Sequence, residues 1–527
     1  MTSGNFAKIF LKKTAAVILS TFSLISFTMP HAHASQSAID TFHLSAYSGE
    51  FKSGINSLDI MATKNPDDVE AIFAKGTLQF FGAIANLQQG FYNHSLETTA
   101  ANKGLGWARS ILPIPLLPST SGLLPINPDA RPMTYASLRE ILTTFDHDLK
   151  EAEATLAKVG KRPTKLPLQP FKIAIDLNHD GTIMPSEQLM GAVLGGMRRT
   201  GGQNRLARLK DVTVVFDTAD ASWLRGYSNL LMATTNMFLA FDFEKSYEVI
   251  AHNFYGPSAT RFGQELEAQR QPARAPALIQ AEIDEVAKKL EALTQPKNSR
   301  TKLRLLQKQL RLLPRTKEYL EERKLLNEAR TAIINKRREF HRKKRALRKE
   351  QRQLANELKG QLPSDQFSEI FDLVAYIHSL NWTVIEPQRL KAVRTHLLNV
   401  AELNHVTWQL VRAETDDDRE WLPNAAQTSP FGARRLTDNV IDGWLATMDL
   451  SAEVLQGKKL LPHPRFEKGI NLKKFFETAK EVDFVFLITG HGLIPYLEEG
   501  EIVDAKAWAA VTAPLGRDLP LFALWFN

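Results

Sequence analysis

The chain of 527 residues contains no cysteine. Without thiols it forms no disulfide, no thiolate metal site and no cysteine nucleophile, and an export signal cannot be followed by a lipid-modified cysteine. Beyond Met29 the chain also lacks a long apolar run without charges, which argues against helices that span a membrane. The patterns G-x-S-x-G and H-E-x-x-H and phosphate-binding loops are absent too, so no common catalytic signature indicates an activity.

The first 34 residues have the three parts of an export signal. A basic region with three lysines precedes the apolar stretch Thr14–Met29, and Ala32-His33-Ala34 forms an A-x-A cleavage site. This order is typical of a signal peptide that is removed during export. We therefore expect a signal peptide over residues 1–34 and a periplasmic or secreted mature chain that begins at Ser35.

Positive charge is concentrated in one segment. Residues 261–360 hold 27 Lys and Arg against 13 Asp and Glu, a net charge of +14, whereas the whole chain carries +8. The rest of the mature chain is therefore acidic. A basic module joined to an acidic body indicates either an electrostatic role for the module or attraction between the two parts.

Residues 176–187, D-L-N-H-D-G-T-I-M-P-S-E, place oxygen-bearing side chains at alternating positions around a glycine. A hard cation such as calcium needs six to eight oxygen ligands, and the backbone can curl around it only where Gly181 permits the turn. The predicted ligands are the side chains of Asp176, Asn178, Asp180 and Glu187 and the main-chain carbonyl of Thr182.

In residue types and spacing this segment resembles the twelve-residue calcium loop of the EF-hand family. The resemblance implies Ca²⁺ as the cofactor, with Glu187 as the closing carboxylate. It covers residues 176–187 only, because the entering segment reads as extended rather than helical. Met184 cannot coordinate through its side chain, so water would serve at that position. A lone loop favours a structural clip over a paired calcium sensor.

Periodicity predicts a mainly α-helical fold with short β-strands. Helices are expected across residues 38–100 and at Thr134–Val159, Ser186–Arg199, Ala219–Phe243, Phe367–His378, Leu390–Val411 and Val440–Leu455. Strands are expected at Leu166–Ile175, Asp211–Phe216, Val482–Thr489 and Leu521–Phe526. The Pro-rich stretch 103–133 is expected to be a loop, either laid over the core or contacting a partner or membrane.

The basic segment shows heptad spacing. Leu326, Ile333, Phe340, Leu347 and Leu354 recur every seven residues, and shorter leucine-rich runs precede Pro314. This spacing predicts a coiled-coil hairpin bent at Pro314 and protruding from the body. The domain prediction is thus residues 35–260 as a helical domain with the calcium loop, 261–362 as the basic hairpin, and 363–527 as a mixed α/β region that can pack with 35–260.

Other polar groups carry weaker signals. Asp217 and Asp220 lie between a predicted strand and helix, which suits helix capping as well as paired-carboxylate catalysis. The run Asp416–Asp418 is either a solvated loop or an oxygen-ligand metal site. His491 follows the predicted strand 482–489 and reads as a loop residue or an active-site group. Asp146-His147-Asp148 lies on a predicted helix, where adjacent side chains diverge.

These observations favour an exported, calcium-binding, non-enzymatic scaffold or binding protein of the bacterial envelope. One alternative is a peptidoglycan hydrolase with a structural calcium loop, and no catalytic residue is assigned for it. Another is an adaptor whose hairpin captures a protein or an anionic lipid, glycolipid or cell-wall polymer. Nucleic acid is an improbable partner for an exported chain.

Overall fold

The computed structural model describes residues 37–94, 127, 129–184, 187–189, 211–268, 276–293, 299–360, 366–428, 430 and 437–503. Within these ranges the fold is mainly α-helical with few short strands, as the periodicity predicts. None of the described helices combines the length and apolar character that crossing a bilayer requires.

The helices have the bounds α1 Ala38–Ser48, α2 Phe51–Lys64, α3 Val69–Tyr92, α4 Tyr135–Ala157, α5 Thr218–Leu239, α6 Glu244–Ile250, α7 His252–Tyr255, α8 Arg261–Ala268, α9 Pro276–Ala292, α10 Ser299–Leu312, α11 Leu320–Gly360, α12 Gln366–Ser379, α13 Pro387–Ala413, α14 Asp438–Leu455, α15 Leu472–Thr478 and α16 Phe484–Thr489. The strands are β1 Lys165–Leu168, β2 Val214–Asp217, β3 Phe241–Asp242, β4 Asn381–Val384, β5 Gly469–Ile470, β6 Glu481–Asp483 and β7 Leu497–Glu498.

Several helices begin at side chains that accept hydrogen bonds from the first turn. Ser37 accepts from the N–H of Asp40 at the start of α1, and Asp68 accepts from the N–H of Ala71 at the start of α3. Thr134 and Ser137 cap each other reciprocally at α4. Because the first N–H groups of a helix have no partner within it, such residues set where each helix starts.

One hydrophobic core contains residues that precede the basic segment in the chain and residues that follow it. Helices α3, α4, α5 and α13 pack against one another, and the fully buried side chains include Phe73 from α3 and Trp408 from α13. Helices α3 and α4 approach closely at Gly76, where an added Cβ would lie 2.7 Å from Leu156 Cγ. The described parts of residues 35–260 and 363–527 therefore share this core, while the predicted domain boundaries stay a prediction.

The strands form small antiparallel pairs. Strand β1 pairs with β2 in the register Lys165 to Asp217 and Leu168 to Val214, β4 lies between β3 and β6, and β5 pairs with β7. The β1–β2 pair has two positional consequences. The calcium-loop segment follows β1 in the chain, so this pairing fixes where that segment begins. The pairing also places Asp217 at the end of β2.

The predicted strand Val482–Thr489 is wrong over most of its length. Only Glu481–Asp483 is extended, and the apolar residues after it form the short helix α16. Asp483 starts this helix by accepting from the N–H of Phe486 at 2.9 Å. The side chains of Phe486 and Ile488 are exposed, so the apolar run is not the buried strand that its composition indicates.

The basic segment forms the predicted helical hairpin. Helices α9 and α10 pack along α11, and α10 ends at Leu312, close to the bend expected at Pro314. The heptad residues of α11 are half-buried, whereas Leu325, next to one of them, is 62% exposed. The guanidinium of Arg323 donates to the carbonyls of Leu310 and Leu313 and so caps the end of α10.

Some predictions lie wholly or largely outside the described residues. They are the signal peptide 1–34, most of the loop 103–133, most of the helix Ser186–Arg199 and the strand Leu521–Phe526. These stay predictions. The predicted helices at 134–159, 219–243, 367–378, 390–411 and 440–455 are confirmed to within a few residues at each end.

Candidate functional sites

The calcium-loop segment is closed at its base by backbone hydrogen bonds. The N–H of Ile175 donates to the carbonyl of Glu187 at 2.9 Å, and the N–H of Leu189 donates to the carbonyl of Ile173 at 2.9 Å. The N–H of Ala174 donates to the body, at Ala46 in α1. The residues directly before the loop are therefore extended and pair in antiparallel fashion with those after it. The predicted strand Leu166–Ile175 is confirmed only in part, because a 3₁₀ turn at Pro170–Lys172 interrupts it.

Asp176 organises the curl of the loop. Its carboxylate accepts from the N–H of Asp180 at 3.2 Å and of Gly181 at 2.8 Å. Gly181 has a φ of +77° and His179 a φ of +57°, both in the left-handed region. Glycine adopts this backbone without the steric penalty of a side chain, so the turn depends on Gly181.

Three further predicted ligands lie on the exposed side of the loop. The side-chain amide of Asn178 donates to Asp180 Oδ2 at 2.8 Å, and the N–H of Thr182 donates to Asp180 Oδ1 at 2.7 Å. Asn178, Asp180 and Thr182 are all exposed. Their oxygens are thus accessible to a cation from solvent.

Glu187, the predicted closing ligand, is completely buried at 0% exposure. Its Oε1 accepts from the N–H of Leu177 at 2.9 Å and its Oε2 from the N–H of Met184 at 2.8 Å. The carboxylate therefore ties the beginning of the loop to its far side. Each of its oxygens accepts from one N–H and keeps a further lone pair with which it could bind a cation.

The loop is docked on the helical body. The side chain of Gln89 in α3 donates to the carbonyl of Leu177 at 3.2 Å. Gly49, which ends α1 with a φ of +81°, lies so close that an added Cβ would be 3.1 Å from the N of Asp176. The position of the loop is thus linked to both α1 and α3.

A second acidic site lies at the end of β2. Asp217 accepts from the N–H of Ala219 at 2.7 Å, and Asp220 accepts from the N–H of Asp217 at 3.0 Å. This reciprocal arrangement caps α5. The capping role that the sequence indicates for this pair is confirmed.

The structure brings Glu414 and Glu420 to this cap. One carboxylate oxygen each from Asp217, Glu414 and Glu420 lies within 4.8 Å of the others. Among the described residues no other group of three acidic, histidine or cysteine side chains is this close, so the carboxylates of Asp176, Asp180 and Glu187 are further apart. We call Asp217, Asp220, Glu414 and Glu420 the acidic cluster.

Backbone contacts position the segment that carries the two glutamates. The N–H of Val215 in β2 donates to the carbonyl of Arg419 at 3.4 Å, and Val215 forms a parallel bridge with Glu420. The side chain of Asn424 donates to the carbonyls of Val411 and Glu414 at 2.9 and 3.2 Å. The segment after α13 is therefore fixed against β2.

Burial and mutual repulsion disfavour the charged forms of the acidic cluster. Burial, then the charges of Asp217 and Glu414, raise the pKa of the Asp220 carboxyl well above its ordinary value. Burial and the charge of Asp217 raise the pKa of Glu414 to about 9, and burial raises the pKa of Glu420 to about 7. Burial also raises the pKa of Asp217. With no cation bound, the cluster holds protons near neutral pH.

The run Asp416–Asp418 forms the rim of the cluster. Lys165 of β1 pairs with both Asp416 and Asp418, and Asp417 accepts from the N–H of Thr428 at 2.7 Å. Asp416 and Asp418 share Lys165, whereas Asp417 is turned towards Thr428, and the three carboxylates do not come within ligand distance of one another. The lysine forms its ion pairs at the rim, and its charge only partly offsets the rise in the pKa of Glu420 that burial causes.

The remaining candidates are not brought to either site. Asp146 accepts from Asn236 and Arg389, while Asp148 accepts from Asn86 of α3, so these two carboxylates have separate partners. His147 Nδ1 lies 3.7 Å from Asp148 Oδ1, so this adjacent pair does not diverge as expected. His491 lies in a short 3₁₀ segment, and its Nδ1 is 3.1 Å from the hydroxyl of Thr489. Among the described residues His491 has no acidic partner, and the other position pairs the exposed His147 with Asp148 outside either acidic site.

Sequence reasoning missed Glu414 and Glu420 as members of a site. Their only signal is that they flank the noted run Asp416–Asp418, about two hundred positions after Asp217. No protein-family model, curated protein or solved structure matches this chain. The two acidic sites and the hairpin are therefore the features of this chain that bear on its function.

Proposed function

We propose that this chain is an exported, calcium-binding, non-enzymatic scaffold or binding protein of the bacterial envelope. Calcium is the structural clip that fixes residues 176–187 to the helical body. The carrying observation is the curl of the loop around Asp176, with Gly181 in the left-handed region and the oxygens of Asn178 and Asp180 exposed. An all-oxygen donor set of this kind suits a hard cation.

The proposed clip acts through mass action. EF-hand loops of extracellular modules bind calcium at about 10⁻⁴ to 10⁻³ M. A ligand at tenfold excess over its dissociation constant stabilises the folded state by about 1.4 kcal/mol. Because the loop contacts Ala46 and Gln89 of the body, this stabilisation extends to α1 and α3.

The test compares Asp176→Asn and Glu187→Gln with wild type, and uses Asp449→Asn, an exposed carboxylate on α14, as the matched control. Calcium binding is measured by titration calorimetry, and melting is measured in calcium and in chelator. We expect calcium to raise the Tm of both loop variants by less than it raises that of wild type, because the part of the increase that the loop contributes is lost, while the control keeps the full increase. Glu187→Gln also loses a buried acceptor, which lowers its Tm with or without calcium. The quantity compared is therefore the difference between the Tm in calcium and the Tm in chelator.

A second pair of variants tests the docking of the loop. Gly49→Ala and Gly160→Ala both place a side chain at positive φ, but only the first approaches Asp176, and Gly160 has open space around it. We expect only Gly49→Ala to weaken calcium binding. A wild-type protein whose melting ignores calcium, or a Gly49→Ala variant with unchanged affinity, contradicts the clip.

The hairpin supports a second role, that of an adaptor. One face of α11 carries a row of cations that find no acidic partner among the described residues: Arg337, Arg338, Lys344, Arg345 and Arg348. Such a row suits an anionic lipid, glycolipid or cell-wall polymer. Removing residues 270–360 should abolish binding to phosphatidylglycerol vesicles and leave the calcium response intact, with phosphatidylcholine vesicles as the control.

The non-enzymatic part of the proposal has a direct test against the hydrolase alternative. Purified protein is incubated with peptidoglycan, and soluble fragments are measured. We expect none to be released, and glycan cleavage that Glu414→Gln or Glu420→Gln abolishes would replace the scaffold with a hydrolase whose acid lies in the acidic cluster.

A further inference from the structure

The acidic cluster has the spacing of a cation site. Calcium binds oxygen at about 2.3–2.6 Å, so two ligands on opposite sides of one ion are about 5 Å apart. The oxygens from Asp217, Glu414 and Glu420 lie within 4.8 Å of one another. A single ion of that size can therefore contact all three.

The ligands are already held in place. Asp217 is fixed as the cap of α5, and the amide of Gln427 donates to Glu414 Oε2 at 3.1 Å. The N–H of Asp418 donates to Glu420 Oε1 at 3.0 Å, and the bridge from Val215 holds the backbone of Glu420. Asp217 Oδ1 accepts from the N–H groups of Ala219 and Asp220, and the carboxyls of Asp217 and Glu414 share a hydrogen bond that an ion would replace. Glu414 and Glu420 each accept from one further donor, so lone pairs remain free for an ion.

An independent observation comes from Asp220. It is 2% exposed, and its Oδ1 has no hydrogen-bond partner although its Oδ2 accepts from the N–H of Asp217. A buried acceptor without a donor costs about 1–3 kcal/mol, and more when it is charged. No Lys or Arg among the described residues pairs with any member of the cluster, since Lys165 is taken by Asp416 and Asp418.

We infer that Asp217, Glu414 and Glu420 bind a divalent cation of calcium's size, with Asp220 beside it, at a second site separate from residues 176–187. An oxygen-only, carboxylate-rich set selects a hard cation. The ion neutralises the buried charges and ties the segment after α13 to the start of α5. This inference stands whether or not the loop binds calcium.

The two sites can be told apart by a luminescent probe. Tb³⁺ replaces calcium at oxygen sites and emits when a nearby tryptophan is excited. Trp421 follows Glu420 directly, and its ring lies 5.6 Å from that of Trp223, whereas the aromatic group that feels the loop charges is Tyr92. With respect to the described residues, excitation selective for tryptophan therefore favours emission from the acidic cluster over emission from the loop.

We expect tryptophan-sensitised Tb³⁺ emission in the wild type, displaced by added Ca²⁺. Glu414→Gln and Glu420→Gln should weaken it by at least about tenfold, while Glu187→Gln leaves it unchanged. Calorimetry with Ca²⁺ should show one site fewer in each cluster variant. Asp417→Asn, an exposed rim aspartate, is the control and should bind as the wild type does.

Emission that survives both cluster variants, or its absence from the wild type, overturns the inference. Should Glu414→Gln fail to fold, Glu420→Gln compared with Glu187→Gln decides the matter. Loss of emission in Glu187→Gln would assign the signal to the loop and also overturn the second site. If the loop does not bind calcium, Asp176→Asn and Glu187→Gln will respond to calcium as the wild type does. That result leaves the emission from the acidic cluster unaffected, so the two proposals can fail separately.

Discussion

Replacing Arg389 by Met should destabilise the junction between the two parts of the core. Arg389, near the start of α13, donates to Asp146 of α4 at 3.1 Å and to Asn236 of α5 at 2.9 Å. Its Nε also donates to Glu386 at 2.7 Å. Methionine keeps most of the side-chain volume but removes every donor.

The magnitude follows from burial. Arg389 and Asp146 have side chains 21% and 20% exposed, and Asn236 is 4% exposed. The variant leaves Asp146 without its cation and the Asn236 carbonyl oxygen without that donor. Charged hydrogen bonds contribute about 1.5–3 kcal/mol each, and partial exposure reduces this, so we expect a loss of about 2–4 kcal/mol.

Urea unfolding followed by circular dichroism and by tryptophan fluorescence measures the change. Arg412→Met is the matched control, because Arg412 pairs with the exposed Asp442 at 2.6 Å and a surface pair contributes at most about 1 kcal/mol. A double-mutant cycle with Asp146→Asn isolates the pair. If Arg389→Met costs no more than Arg412→Met, the network does not stabilise the junction and the reasoning fails.

Gly76→Ala should destabilise the protein by about 1–3 kcal/mol in thermal melts, because its Cβ would meet Leu156 at 2.7 Å; Gly82→Ala in the same helix has 3.5 Å of room and should not. Leu326→Asn should speed amide hydrogen exchange in α10, whereas the exposed neighbour Leu325→Asn should not. Ser137→Ala should cost about 1 kcal/mol in urea by breaking the cap of α4, and an unchanged midpoint would refute that role.

The helices could be predicted from the sequence because periodicity and capping are local properties of the chain. Heptad spacing identifies the face of α11 that packs on α9 and α10, since half-buried Leu326 and exposed Leu325 are adjacent in the chain. Asp68 and Thr134 mark helix starts that depend only on neighbouring N–H groups. Periodicity and capping act over a few residues, so a single sequence suffices for them.

The acidic cluster could not be predicted from the sequence, because its residues come together only through contacts between distant parts of the chain. Glu414 comes close to Asp217 only because β2 pairs with the segment around Arg419. The residues of these two short segments give no signal from which that pairing could be predicted. The strand predicted at residues 482–489 was wrong for a related reason. Its composition favours a strand, but Asp483 caps a helix as soon as pairing with β4 ends.

The calcium loop is an intermediate case. Its residue pattern predicts the turn at Gly181 and the extended entry, and both are present. The pattern does not predict that Glu187 is occupied by two backbone N–H groups, because burial of that side chain depends on the body. Calcium binding itself stays a prediction until it is measured.

The shared core also dictates the order in which the molecule can fold. Ser246 and Ser379 are hydrogen-bonded across 133 positions, and Arg139 reaches Glu386 across 247. During synthesis the first two hundred residues emerge long before α12 and α13 exist to cover them. Apolar surface of α5 that α13 covers in the folded chain therefore stays uncovered until α13 has been synthesised, whereas the contacts within the hairpin are local.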